Sequence, residues 1–86
     1  MEHVEYIIKI NFFDEFAVDG MSKVWEFTFN KIAKNKAYLM DSFFKNSILY
    51  INLLFNNAKD YKVFMDELMD KIQGSSWKLS SYKETL

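Results

Sequence analysis

The segment from Ile48 to Phe55 is the most apolar stretch of the chain, and only Asn52 interrupts it. A run of this length between polar residues is typical of a central β-strand that is covered on both faces. It is far shorter than the about 20 residues that a membrane-spanning helix requires. The segment therefore predicts a sheet with further strands on both sides of it.

Two other segments alternate with period two, as half-buried strands do. From Val4 to Phe12 the even positions are apolar, and the odd positions include Glu5, Lys9 and Asn11. Residues 25–30 repeat the pattern, because large rings at the odd positions alternate with polar side chains. The residues between them, 14–21, read as a loop that ends in a turn at Asp19–Gly20. Together they predict an N-terminal antiparallel hairpin.

Residues 31–45 are compatible with two structures. On a helix their polar side chains gather into one stripe, and Asn30 is a suitable N-cap. As a strand, the same segment mixes polar and apolar residues on both faces. The helix is the preferred prediction. The alternative is a third strand that follows a turn at Lys34–Asn35.

A second helix is predicted to begin at Asn57 and to end at Gly74. Asp60 follows Asn57 at the spacing of a capping box, and an apolar stripe runs through Phe64 and Leu68. Beyond it, Trp77 and Leu79 alternate around a lysine, which indicates a short edge strand or a docked extension.

These elements predict one α+β domain over residues 1–86. It has a small antiparallel or mixed sheet with an N-terminal β-hairpin and two packed helices, in the order β-β-α-β-α, with a short C-terminal strand as an addition. The alternative is a four-stranded antiparallel meander followed by one C-terminal helix.

The residue types argue against catalysis, metal binding and cofactor binding. There is no cysteine, and His3 is the single histidine, close to the N-terminus. The carboxylate pairs Asp14–Glu15 and Asp66–Glu67 are expected to be solvated rather than buried. A cation site built from Asp14, Glu15 and Asp19 lacks the spacing of a calcium loop, and two isolated glycines form no phosphate-binding loop. We therefore expect no enzyme activity.

Nucleic-acid binding is the alternative function, because aromatic rings on a strand can stack with bases. The candidate residues are Trp25 on the predicted strand, with Lys31, Lys34 and Lys45 as contacts for phosphate. Against this, the net charge is −1 and all eleven basic residues are lysine, so the bidentate contacts of arginine are absent.

Protein binding is the preferred function. Large rings outside the regular elements, Phe16 in the loop and Trp77 and Tyr82 in the tail, must cover either the core or a partner. The charge is divided: residues 1–30 hold six acids against two lysines, and residues 31–57 hold four lysines against one acid. Asp14, Glu15 and Asp19 belong to the acidic part and are further candidate contacts.

The sequence thus predicts a small cytoplasmic, non-enzymatic binding protein. Its partner is either another protein or a second copy of the chain. An inhibitor or immunity-type protein encoded by a phage or mobile element fits this description, and so does a homodimerising accessory factor. No motif in the chain is specific enough to indicate a family.

Overall fold

Four strands and two helices form over residues 3–13 and 18–83, which are the residues that the computed structural model describes. In chain order they are β1 (Val4–Asn11), α1 (Val18–Ala33), β2 (Ala37–Lys45), β3 (Ile48–Phe55), α2 (Ala58–Ile72) and β4 (Lys78–Lys83). The α+β class, the antiparallel sheet, the two helices and the short C-terminal strand that the sequence predicts are all confirmed.

The strands form one sheet in the order β2-β3-β1-β4, and every neighbouring pair is antiparallel. Each helix links two strands that lie on either side of a third: α1 joins β1 to β2 across β3, and α2 joins β3 to β4 across β1. Two such split β-α-β units make up the ferredoxin-like topology. The sheet is therefore not a meander, because strands adjacent in the chain are mostly not adjacent in the sheet.

The hydrophobic core lies between the sheet and the helices. One face of β1 and β3 supplies Ile8, Ile10, Leu49, Ile51, Leu53 and Phe55. The helix α2 adds Phe64, Leu68 and Ile72, whose spacing of four residues places them on one side of a helix. Asn57 caps this helix as predicted, and its side-chain oxygen accepts a hydrogen bond from the amide of Asp60 at 2.8 Å.

The predicted strand over residues 25–30 is wrong, because these residues belong to α1. The positions buried on α1 are Gly20, Val24, Phe27 and Thr28, a spacing that fits a helix turning every 3.6 residues. The alternation of rings that indicated a strand is incidental, since Phe27 is buried while Phe29 is 54% exposed. The predicted N-terminal hairpin and the turn at Asp19–Gly20 are wrong for the same reason.

The predicted helix over residues 31–45 is also wrong. The end of α1 covers residues 31–33, Asn35 adopts a left-handed conformation with φ 59°, and β2 begins at Ala37. The alternative, a strand after a turn at Lys34–Asn35, is confirmed for this segment. Because β2 is an edge strand and only Ala37 in it is buried, its two faces need not separate polar from apolar residues.

The hairpin in the structure joins β2 to β3 through Asn46 and Ser47. Both residues have positive φ, 54° and 64°, as a two-residue type I′ turn requires. The strand β3 has the predicted bounds and a central place in the sheet. The expectation that both of its faces are covered is wrong, because buried and partly exposed residues alternate along it.

Candidate functional site

The open face of the sheet, the one opposite the helices, is the candidate functional site. Every second side chain of a strand points towards this face, and the pairing register identifies these positions. All of them are exposed or partly exposed: Tyr38, Asp41, Phe43 and Lys45 on β2; Ile48, Tyr50, Asn52 and Leu54 on β3; Glu5, Ile7, Lys9 and Asn11 on β1; and Lys78, Ser80 and Tyr82 on β4.

Large apolar side chains extend across the open face from the edge strand β2 to the edge strand β4. Phe43 and Tyr50 are directly opposite each other on β2 and β3, and their rings stack with centroids 4.4 Å apart. Phe43 is 54% exposed, Tyr38 47% and Tyr82 46%. Ile7 lies between the two aromatic sides of the sheet, paired with Asn52 and with Tyr82. Exposed rings in such an arrangement are typical of a binding surface rather than of scattered surface residues.

Charge is separated along the strands of the open face. The acidic end consists of Glu5, near the start of β1, and Asp41, which lies level with Ile7 because both pair with Asn52. The basic end consists of Lys45 and Lys78, which lie level with Asn11 at the end of β1, and Lys9, which pairs with Tyr50. Glu5 and Lys9 are four residues apart on one strand, about 14 Å at the rise of an extended chain. This exceeds the Debye length of about 8 Å at physiological salt, so the two ends act as separate charges.

Asn52 lies near the centre of the open face and orients the carboxylate of Glu5 in the acidic end. Its amide nitrogen donates a hydrogen bond to Glu5 Oε2 at 3.1 Å. Its side-chain oxygen is buried and accepts no hydrogen bond from any residue that the structure describes. A small depression of about 70 Å³ is lined by Asn52 together with Ile7, Asp41, Ser42, Phe43 and Tyr50.

The helix side carries a different feature, a wide groove between α1 and α2 with a volume of about 530 Å³. Its walls carry both signs of charge, with Lys23, Lys31, Lys34 and Lys71 against Glu26 and Glu67. Lys31 forms an ion pair with Glu67 and lies over the ring of Phe27. Part of the basic charge is thereby compensated within the chain, which makes the groove a weaker candidate for an anion than its lysine count indicates.

The residues predicted to bind a partner are not brought together. Asp14, Glu15 and Phe16 lie outside the described residues, and of Asp19 only the backbone, in the first turn of α1, is described. Trp77 packs edge-on against the buried Phe12, with ring centroids 5.0 Å apart, so it covers the core. Tyr82, by contrast, stands on the open face as an exposed ring.

The residues of the nucleic-acid alternative are also dispersed. Trp25 lies on a helix and stacks on Phe29, with ring centroids 5.2 Å apart, so the aromatic strand face predicted there is absent. Lys31 is paired with Glu67 on the helix side. Lys34 lies in the turn before β2, whereas Lys45 ends that strand on the open face.

Within residues 3–13 and 18–83, no three side chains of the metal-ligating types are grouped. His3 is exposed, and so are Asp66 and Glu67 on α2. Among the described helices, neither is both long and apolar enough to cross a bilayer.

Sequence reasoning missed Phe43, Tyr50, Asn52 and Asp41 as site residues. A β-bulge at Met40 shifts the register between Leu39 and Asp41, which breaks the alternation that would have marked β2 as a strand. The available signals were the turn at Lys34–Asn35, which indicates that a strand follows it, and the alternation from Asp41 through Phe43 to Lys45 beyond the bulge.

No family model and no curated protein matches this sequence. Two solved structures share its fold. A NIPSNAP family protein of unknown function from Agrobacterium tumefaciens is 14% identical, with a TM-score of 0.54 over 96% of this chain and 89% of that one. The de novo designed protein Foldit4 is 12% identical, with a TM-score of 0.56 over 98% of this chain and all of the design. At these identities the likeness concerns the fold alone.

Proposed function

We propose that this chain is a small, non-enzymatic protein-binding module that contacts its partner through the open face of its sheet. The observation that carries the proposal is the ring of Phe43, which is 54% exposed and stacks on the partly exposed ring of Tyr50 on the neighbouring strand. A partner that covers these rings removes a large apolar area from water, at about 25 cal/mol per Å².

The composition of the open face supports a protein partner. Aromatic residues are enriched at interfaces, and they supply the central anchors that dominate binding energy. Here three tyrosines and one phenylalanine stand on the face with apolar neighbours, while four of its five charged residues lie on an edge strand or near a strand end, and Lys9 lies inside the face beside Tyr50. An apolar centre with a charged rim is the usual anatomy of a specific protein interface.

The sequence indicates two kinds of protein that could have this function, and the structure leaves both as proposals. One is a homodimerising accessory factor, and the other is an inhibitor or immunity-type protein encoded by a phage or mobile element. A cytoplasmic site of action belongs to both, in keeping with the cysteine-free composition. The two forms differ in the occupant of the open face.

Single-stranded nucleic acid is the second candidate partner, and one observation favours it. Lys45 is two residues from Phe43 on β2, and Lys9 lies over the ring of Tyr50 at 5.5 Å. Such a surface offers stacking and phosphate contacts together. It ranks second because the two acids at the other end and the net charge of −1 reduce the gain from counterion release.

Site-directed photo-crosslinking in the native host tests the proposal. A photo-reactive phenylalanine analogue at position 43 is expected to form a covalent adduct with a protein chain. The matched control carries the same analogue at Met69 on α2, since Met69 and Phe43 are equally exposed, at 53% and 54%. Adducts of equal yield at both positions, or none at position 43, would contradict the proposal. Adducts to nucleic acid at position 43 would favour the second candidate instead.

A further inference from the structure

The open face is complementary to itself in charge. Along the strands its two acids lie at the levels of Glu5 and Ile7, and its three lysines lie at the levels of Lys9 and Asn11, so one half of the face is acidic and the other half is basic. We propose that the occupant of the open face is a second copy of this chain, packed face to face with its strands antiparallel to those of the first. This inference rests on the proposed function, because it names the partner of the surface proposed there.

Symmetry and charge together select one arrangement. Two identical sheets that pack face to face are related by a twofold axis lying between them. If the axis runs along the strands, each acidic end covers the other acidic end, and like charges face each other. If the axis runs across the strands, each acidic end covers a basic end. Like charges in contact cost several kcal/mol, so the second arrangement is the favoured one.

The second arrangement also pairs specific positions. Because the axis crosses the strands, β3 lies over β3 of the other copy with its direction reversed. Leu54, at the acidic end of β3, then lies over Ile48 of the other copy, at the basic end. By the same reversal, Tyr50 lies over Asn52 of the other copy and Phe43 over Asp41 of the other copy, so the two Phe43–Tyr50 pairs lie on either side of the axis and next to it.

The size of the open face is suited to a stable dimer. Four strands spaced by about 4.8 Å and about eight residues in length, at about 3.4 Å per residue, give a face of about 20 by 27 Å. Side chains that stand up from the sheet raise its accessible area above this footprint. Stable interfaces bury about 800 Å² on each partner, which is of the same order. Sheets packed in this way lie about 10 Å apart and enclose the side chains of both inner faces.

The contact groups are held in place before binding. The hydrogen bond from Asn52 fixes the carboxylate of Glu5, and stacking restricts the rings of Phe43 and Tyr50. Side chains that are already ordered lose less entropy when an interface forms.

Charge reversal with rescue tests the inference. One variant replaces the three lysines of the basic end by glutamate, and a second replaces both residues of the acidic end by lysine. The net charge of the open face is +1, from three lysines and two acids, and becomes −5 and +5 respectively. The control carries three Lys→Glu changes at exposed positions of α2, namely Lys59, Lys62 and Lys71. Sedimentation equilibrium measures the mass of each protein alone and of the two face variants mixed.

We expect the unmodified chain and the control to be dimers. Each face variant alone should dissociate, with a dissociation constant raised about 100-fold or more, and the mixture should restore a dimer containing one copy of each. A dimer that neither face variant weakens would overturn the inference, because the copies would then meet elsewhere. A monomeric chain that still gives the adduct at position 43 would overturn the inference and leave the proposed function intact. A monomer without that adduct would overturn both.

Discussion

Gly20 and Trp77 lie so close together that position 20 has no room for a side chain. A Cβ atom added at Gly20 would lie 2.5 Å from Trp77 Cζ2, 2.7 Å from Trp77 Cη2 and 3.1 Å from Phe12 Cε1. Trp77 can cover the core next to Phe12 only because the first turn of α1 carries no side chain at this position. The substitution Gly20→Ala is therefore expected to push the indole off its site.

Two opposing effects set the magnitude. Alanine is more favourable than glycine within a helix by about 1 kcal/mol. Overpacking in a well-filled core costs about 1–3 kcal/mol, and here the contact is with rigid rings rather than with the flexible end of a side chain. We expect the overpacking to exceed the helical gain, so Gly20→Ala should lower the free energy of unfolding by up to about 2 kcal/mol. A domain of this kind has a total of only about 5–15 kcal/mol.

The effect of Gly20→Ala on stability should change sign when leucine replaces Trp77. Both of the closest ring atoms lie at the far edge of the indole, which a leucine does not reach. In a Trp77→Leu background, Gly20→Ala should thus raise stability by up to about 1 kcal/mol. Urea unfolding followed by far-UV circular dichroism gives the four free energies of this double-mutant cycle. If Gly20→Ala were no less destabilising in the Trp77→Leu background than in the native background, the packing of Trp77 on α1 would be refuted.

Three further substitutions test other parts of the fold by urea unfolding. Leu68→Ala should lower the free energy of unfolding by about 2–5 kcal/mol, because Leu68 is fully buried on the side of α2 that faces the core. A loss under 1 kcal/mol would show that α2 does not pack on the sheet through this residue. Thr28→Val should raise stability by about 1 kcal/mol, because the buried hydroxyl of Thr28 has no partner among the described residues, whereas a loss would indicate that the hydroxyl is satisfied. Asn57→Ala should cost about 1 kcal/mol through the lost cap of α2, with Asn57→Asp as the control that keeps it; equal effects of the two would argue against the cap.

The parts of the fold that sequence predicted are those with one strong local signal. The length of the run from Ile48 to Phe55 favoured a strand over a buried helix, and the predicted bounds are correct. The helix α2 was bounded by Asn57, which caps it, and by Gly74, whose φ of 89° few other residues adopt.

The parts that sequence missed depend on contacts between distant segments. Residues 25–30 satisfy both a strand pattern and a helix pattern, and the burial of Val24 and Phe27 under the sheet decides between them. The strand β2 exists because it pairs with β3, and its local pattern, broken by the bulge at Met40, resembles a helix.

The binding surface could be predicted only in part. The sequence indicated a surplus of large rings and a divided charge, and it included Tyr82 among the candidate contacts. It could not show that Phe43 and Tyr50 meet, because their pairing depends on the register of the β2–β3 hairpin. Nor could it show that Trp77 covers the core, since Phe12 and Gly20 are more than fifty residues away in the chain.

Crosslinking between single cysteines tests the antiparallel docking of two open faces most directly, and the chain has no native cysteine to interfere. Leu54→Cys and Ile48→Cys are purified separately, mixed, and treated with a thiol crosslinker that spans about 10 Å, the distance between packed sheets. Mass spectrometry identifies the joined peptides. The antiparallel arrangement predicts that Leu54→Cys crosslinks to Ile48→Cys in the mixture and that neither variant crosslinks to itself. Self-crosslinking of Leu54→Cys, or a mixture that forms no crosslink, would contradict it.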